Sequence, residues 1–125
     1  MIKQIKSSEI KNFLNDNKNT ELLDVRTQDE WDNVGRPDGE NLGLKTHFIT
    51  IVRSSDPAAN KKFIEEVKKV TDPNKDLLVI CKAGGRSMMA SQLLSQEKIN
   101  CINISDGFEG NGENSGWVNE GLPSK

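Results

Sequence analysis

Leu77-Leu78-Val79-Ile80-Cys81-Lys82-Ala83-Gly84-Gly85-Arg86-Ser87 is the stretch on which the fold turns. Its first four residues are wholly apolar, as in a strand covered on both faces of a parallel sheet. Gly84-Gly85 then breaks regular structure, and from about Arg86 the residues Met89, Ala90, Leu93 and Leu94 recur at helical spacing. Strand, glycine turn and helix N-terminus stand in immediate succession. Ligands of an open parallel sheet bind beyond the carboxyl ends of its strands, and Cys81 stands at such an end.

The same alternation extends in both directions. Ile10, Phe13 and Leu14 indicate a short helix after Ser7 and Ser8, which offer caps. Glu21 to Val25 reads as a strand, and Thr27-Gln28-Asp29-Glu30 as a capping box opening a helix with Trp31 and Val34. After the turn cluster Gly35-Arg36-Pro37-Asp38-Gly39, the β-branched run Phe48 to Val52 predicts a strand. Asp56-Pro57 predicts the start of a helix of two to three turns, with Phe63, Ile64, Val67 and Val70 on its apolar face. Ile99 to Ile104 predicts a last strand, with Ile99, Cys101 and Asn103 on one side. The glycine-rich stretch from Asp106 to Gly116 must be a loop, and Trp117-Val118 anchors a short final turn. Strands alternating with helices imply an α/β fold in one domain, residues 1–125, with a mainly parallel central sheet and helices on both faces.

Composition excludes several functions. The chain has 125 residues, 17 Lys plus Arg against 19 Asp plus Glu, and a net charge of −2. No basic stripe marks a nucleic-acid binder, and no apolar run approaches the ~20 residues of a membrane span. The first residues carry charge without an apolar stretch after them, and two cysteines are too few for a disulfide scaffold. A reducing cytoplasm is the expected location.

Chemistry is expected at Cys81. Backbone N–H groups of the Lys82 to Gly85 turn and the helix dipole beyond it form an anion nest, beside the cations Lys82 and Arg86. Such surroundings favour a thiolate. Gly84 and Gly85 would supply close approach and positive φ, and Ser87 a helix cap and a hydroxyl for a bound anion. The alternative reading is a cysteine packed as a small hydrophobe.

Three segments, in order and at matching spacing, resemble the single-domain rhodaneses. Leu23-Asp24-Val25-Arg26-Thr27 with Glu30-Trp31 resembles that family's opening D-V-R segment. Cys81 to Ser87 resembles its C-x-x-G-x-R-S loop. Asp106-Gly107-Phe108 with Gly116-Trp117 and Gly121-Leu122-Pro123 resembles its closing segment. Val34 to Gly39 replaces the family's common G-H-I-P-G-A. The resemblance implies a rhodanese-like fold and a sulfurtransferase in which Cys81 carries a sulfane sulfur as a persulfide. The loop residues Lys82, Ala83, Gly84, Gly85, Arg86 and Ser87 would hold the donor. It implies a small-molecule donor such as thiosulfate, a thiol or cyanide acceptor, a sulfur-relay protein as a further candidate partner, and no cofactor or metal. Cys81 to Arg86 is C-x4-R, whereas the related phosphatases and arsenate reductases resemble C-x5-R, a wider cradle for a tetrahedral oxyanion. A non-catalytic binding or regulatory module is the rival from another class.

Four further residues fall near this end of the sheet. Asp24, Arg26 and Glu30 are expected to brace the loop through ion pairs, and Arg86 is divided between pairing with them and binding donor. Phe108 is a candidate pocket residue. His47 and Cys101 are expected to be structural.

Overall fold

The computed structural model describes residues 1–52 and 56–125. Five strands are joined by four α-helices: β1 (Lys3–Ile5), α1 (Ile10–Asp16), β2 (Thr20–Asp24), α2 (Gln28–Asn33), β3 (Lys45–Phe48), α3 (Pro57–Val70), β4 (Asp76–Ile80), α4 (Gly85–Ser95) and β5 (Cys101–Ile104). The sheet runs β1-β5-β4-β2-β3 and every pairing is parallel. β4 and β2 are central, which is why Leu22, Leu23, Leu78, Val79 and Ile80 are fully buried and why both strands read as apolar.

Two cores lie on opposite faces of the sheet. Leu23, Val25, Val79 and Cys81 pack with Phe63 and Val67 of α3 and Ala90 and Leu94 of α4. Leu22, Leu78, Ile80 and Ile104 pack with Ile10 of α1 and with Phe108, Trp117 and Leu122 of the final segment. Strand alternation sends neighbouring residues to different cores, so the expected helices on both faces result from the pleat.

Several expectations are corrected. The strand predicted at 48–52 lies earlier, at Lys45–Phe48, paired with Glu21 to Asp24. Ile49 and Ile51 still bond to Asp24 O and Val25 O, but the chain leaves the ladder because it passes the end of β2. β1 gives no signal in the sequence: it is a three-residue edge strand with one buried side chain. α3 has 14 residues, and Val70 is 43% exposed at its end. Asp56 caps it at Ala58 N, with Pro57 at the first helical position, as predicted. Ser7 caps nothing; its amide and hydroxyl bond the buried Asp106 carboxylate, each at 2.9 Å.

Candidate functional site

Three loops meet at the carboxyl ends of the central strands. Val25 N donates to Ile80 O, bringing the segment after β2 beside Cys81. Phe108 N donates to Cys81 O (2.8 Å) and Glu109 N to Lys82 O (3.0 Å), which fastens the loop after β5 to the loop after β4. This approach requires glycine. A Cβ on Gly84, at φ +105°, would meet Ser105 O at 2.2 Å, and one on Gly107 would meet Lys82 O at 2.3 Å.

Cys81 forms the floor of this junction. It is 1% exposed, and its Sγ accepts from Gly84 N at 3.1 Å and faces Ser87 Oγ at 3.2 Å. The expected ring of amides is therefore one amide and one hydroxyl. The first amides of α4 have no intrahelical acceptor by helix geometry, so the positive end of the helix faces this loop. Ser87 does not cap α4. Gly84 holds the N-cap position, and the Ser87 hydroxyl, buried in the first turn, lies within reach of both Cys81 Sγ and Gly84 O. That single proton has two destinations. With a thiol it bonds Gly84 O while the S–H donates to Oγ; with a thiolate it turns to the sulfur. Gly85 begins the helix and has no positive φ. Lys82 and Ala83 are exposed, at the rim.

The charged residues sort into pairs. Arg86 Nη1 and Nη2 donate to the two oxygens of Glu30 at 2.6 and 2.8 Å, so Arg86 is committed to Glu30. Glu30 also closes the capping box of α2 with Thr27, and its carboxyl is lowered to about 2, chiefly by the Arg86 hydrogen bonds and then by Thr27, against the opposing effect of burial. The same bonds raise the Arg86 guanidinium further. Arg26, wholly buried, grips Asp24 through Nε and Nη2, donates to Gly35 O at 2.8 Å, and stacks 4.3 Å above the Phe108 ring. Asp24 therefore joins Arg26, not Arg86. The Phe108 ring packs in the core opposite the one that holds Cys81, so Phe108 supports Cys81 through its backbone N–H.

Asn103 reads in the sequence only as a strand residue. It is 1% exposed on β5, and its Nδ2 donates to Gly84 O (3.3 Å) and to Gln4 Oε1 (3.1 Å). Because Gly84 O only accepts, the amide must present nitrogen there. The one sequence signal is a lone Asn on a strand face otherwise formed by Ile99 and Cys101. Asp106 stands in the sequence only as part of the closing motif, yet its carboxylate binds Ser7 and Gly116 N, tying the loop after β5 to the start of the chain and to the final segment.

Cys101 lies far from the site. It pairs with Leu77, and Cys81 lies four residues further along β4, about 13 Å at roughly 3.3 Å per residue. A disulfide needs Cα atoms within about 7 Å, so no direct bridge to Cys81 is available. Burial pushes the Cys101 thiol up to about 12. His47 Nε2 meets Glu21 Oε1 at 2.5 Å, both buried. Among the described residues no three His, Cys, Asp or Glu side chains gather as a metal site, and no helix is long and apolar enough to cross a membrane.

Comparison with known proteins agrees with this fold. The Rhodanese-like domain family model matches residues 7–113. The uncharacterized protein RP600 of Rickettsia prowazekii is 35% identical, over 98% of this chain and 97% of that one. Thiosulfate sulfurtransferase 18 of Arabidopsis thaliana is 27% identical, over 82% of this chain and 70% of that one. The crystal structure of Rv0390 from M. tuberculosis superposes with a TM-score of 0.80 at 30% identity, covering 98% and 96% of the two chains. The chain belongs to the rhodanese-like domain family.

Proposed function

We propose that the protein is a sulfurtransferase that carries sulfane sulfur as a persulfide on Cys81. The observation that carries the reading is the pair of hydrogen bonds at Cys81 Sγ, from Gly84 N–H and with the Ser87 hydroxyl, at the N-terminus of α4. Membership of the rhodanese-like family supports it, as does similarity to a protein named a thiosulfate sulfurtransferase.

The Cys81 thiolate attacks the outer sulfur of a donor such as thiosulfate. A new S–S bond forms, the donor's S–S bond breaks, and sulfite leaves with the electron pair. The persulfide anion Cys81–S–S⁻ replaces the thiolate as the charge to be held, by the same N–H, hydroxyl and helix terminus. A thiol or cyanide then attacks the terminal sulfur and releases Cys81 as thiolate. Both half-reactions conserve charge without a cofactor. Lys82, exposed at the rim, draws anions toward the loop.

A non-catalytic rhodanese-homology module is the second reading, favoured by the 1% exposure of Cys81 and its packing among apolar side chains. Incubation with thiosulfate, without reductant, then intact mass spectrometry separates the two. The sulfurtransferase gains one sulfur atom, Cys81→Ser gains none, and cyanide removes the addition. A native protein that stays unmodified with thiosulfate and with a persulfide donor alike would be a binding module.

A further inference from the structure

We infer that the donor suited to this loop is a thiol persulfide, R–S–SH, in preference to a dianion such as thiosulfate. The inference rests on the reading of Cys81 as the sulfur carrier and names the donor class for that site.

The pairing of charges decides the donor. Both terminal nitrogens of Arg86 are taken by Glu30 at 2.6 and 2.8 Å, and Arg26 is wholly buried against Asp24. Each arginine thus arrives at the site with its charge already matched. Among the described residues of the Cys81 to Ser87 loop, Lys82 is the one cation without a carboxylate partner, and exposed Glu109 adjoins it through the Glu109 N to Lys82 O bond. Glu30 stays ionised wherever thiol chemistry operates, because its carboxyl is held at about 2. Arg86 is therefore not released by ordinary changes of pH.

Attack on thiosulfate brings a thiolate onto a dianion, so three negative charges converge in the transition state. One free ammonium matches a third of that charge, and like charges disfavour the encounter. A persulfide donates sulfur through its protonated form R–S–SH, whose reacting end is neutral, leaving a single negative charge for the Gly84 N–H, the Ser87 hydroxyl and Lys82 to hold. The step balances: Cys81–S⁻ + R–S–SH gives Cys81–S–S⁻ + R–SH, the new S–S bond replacing the old and the proton passing to the departing thiolate.

Access points the same way. With Cys81 1% exposed, the reacting sulfur must descend on a slender arm. The outer sulfur of R–S–SH bears only hydrogen and its neighbour is divalent, whereas the neighbour of the outer sulfur in thiosulfate bears three oxygens.

The test measures second-order rates of Cys81 persulfidation by intact mass, using thiosulfate, glutathione persulfide and a neutral peptide carrying one cysteine persulfide. The native protein should load at least 100-fold faster from one of the persulfides than from thiosulfate. Preference for glutathione persulfide marks a low-mass donor and preference for the peptide a protein-borne one; both support the inference. In Glu30→Gln, which frees Arg86 while glutamine retains the capping box, the ratio of thiosulfate to persulfide rates should rise about tenfold. Salt dependence of the native thiosulfate reaction gives a second measure that needs no variant, and it should be shallow. Thiosulfate rates equal to or above both persulfide rates, a ratio unmoved in folded Glu30→Gln, or a steep fall with salt overturns the inference while leaving the sulfurtransferase intact. Failure of every donor to load Cys81 removes both.

Discussion

Arg86 and Glu30, 56 residues apart in sequence, meet in a two-pronged ion pair of 2.6 and 2.8 Å that joins the first turn of α4 to the first turn of α2. The fork geometry suits arginine, and lysine would keep one contact at most. Glu30 thereby does two tasks, capping α2 and holding the helix that presents Ser87 to Cys81.

The pair makes stability sensitive to acid. Glu30 is lowered from 4.5 to about 2, so its stabilisation is fully present above pH 4.5 and is lost as the pH falls through about 2. For a partly exposed pair the loss is about 1 kcal/mol. Urea unfolding between pH 5 and 2 should show this acid loss in the native protein and a smaller one in Glu30→Gln; identical profiles would mean that the pair contributes nothing to acid stability.

The two cysteines should differ sharply toward iodoacetamide. Their exposures are alike, 1% and 4%, so a difference in rate reports on hydrogen bonding and charge, not access. Cys101, pushed up to about 12 by burial, stays a thiol at neutral pH. Cys81 should be alkylated at least tenfold faster at pH 7, and Ser87→Ala should narrow the gap. Peptide mapping after a timed quench reads both sites; equal rates would show that the loop does not activate its sulfur.

Gly84→Ala tests the contact between loops. The residue has φ +105°, and the added Cβ would lie 2.2 Å from Ser105 O. Because the obstruction is backbone, it cannot swing aside. Destabilisation of about 2–4 kcal/mol is expected from strain and clash combined, read from the urea midpoint. A loss below about 0.5 kcal/mol would mean that the loops separate freely.

Asn103 holds the carbonyl of Gly84. Asn103→Asp places an acceptor against Gly84 O and a buried charge beside it, whereas Asn103→Leu removes the bond and keeps the volume approximately. We expect Asn103→Leu to lower the rate of Cys81 alkylation several-fold while the unfolding midpoint shifts by an amount worth about 1–2 kcal/mol. An unchanged alkylation rate in a folded variant would confine Asn103 to a packing role.

Much of this architecture was legible in the chain. The apolar run Leu77 to Ile80, the Thr27 to Glu30 capping box and Asp56-Pro57 are local signals, each decided by propensities and hydrogen bonds within a few residues, and each forms the element its sequence indicates. The glycine turn after Cys81 was legible because Gly84-Gly85 locally breaks regular structure, whereas the close approach of Ser105 O that makes glycine necessary at position 84 was not. The start of β3 was not legible, because an edge strand is positioned by its partner; Lys45 and Thr46 enter the ladder through pairing with Glu21 and Leu22 despite their polar character.

Tertiary structure alone decided which carboxylate each arginine takes, how many amides reach the sulfur, and that Cys101 lies beyond the reach of Cys81. Those questions concern distances between segments remote in sequence. Composition can state that Asp24, Glu30, Arg26 and Arg86 arrive at one end of a sheet, but matching partners depends on the pleat, which sends Asp24 and Arg26 to one face together, and on the helix start, which turns Arg86 toward α2.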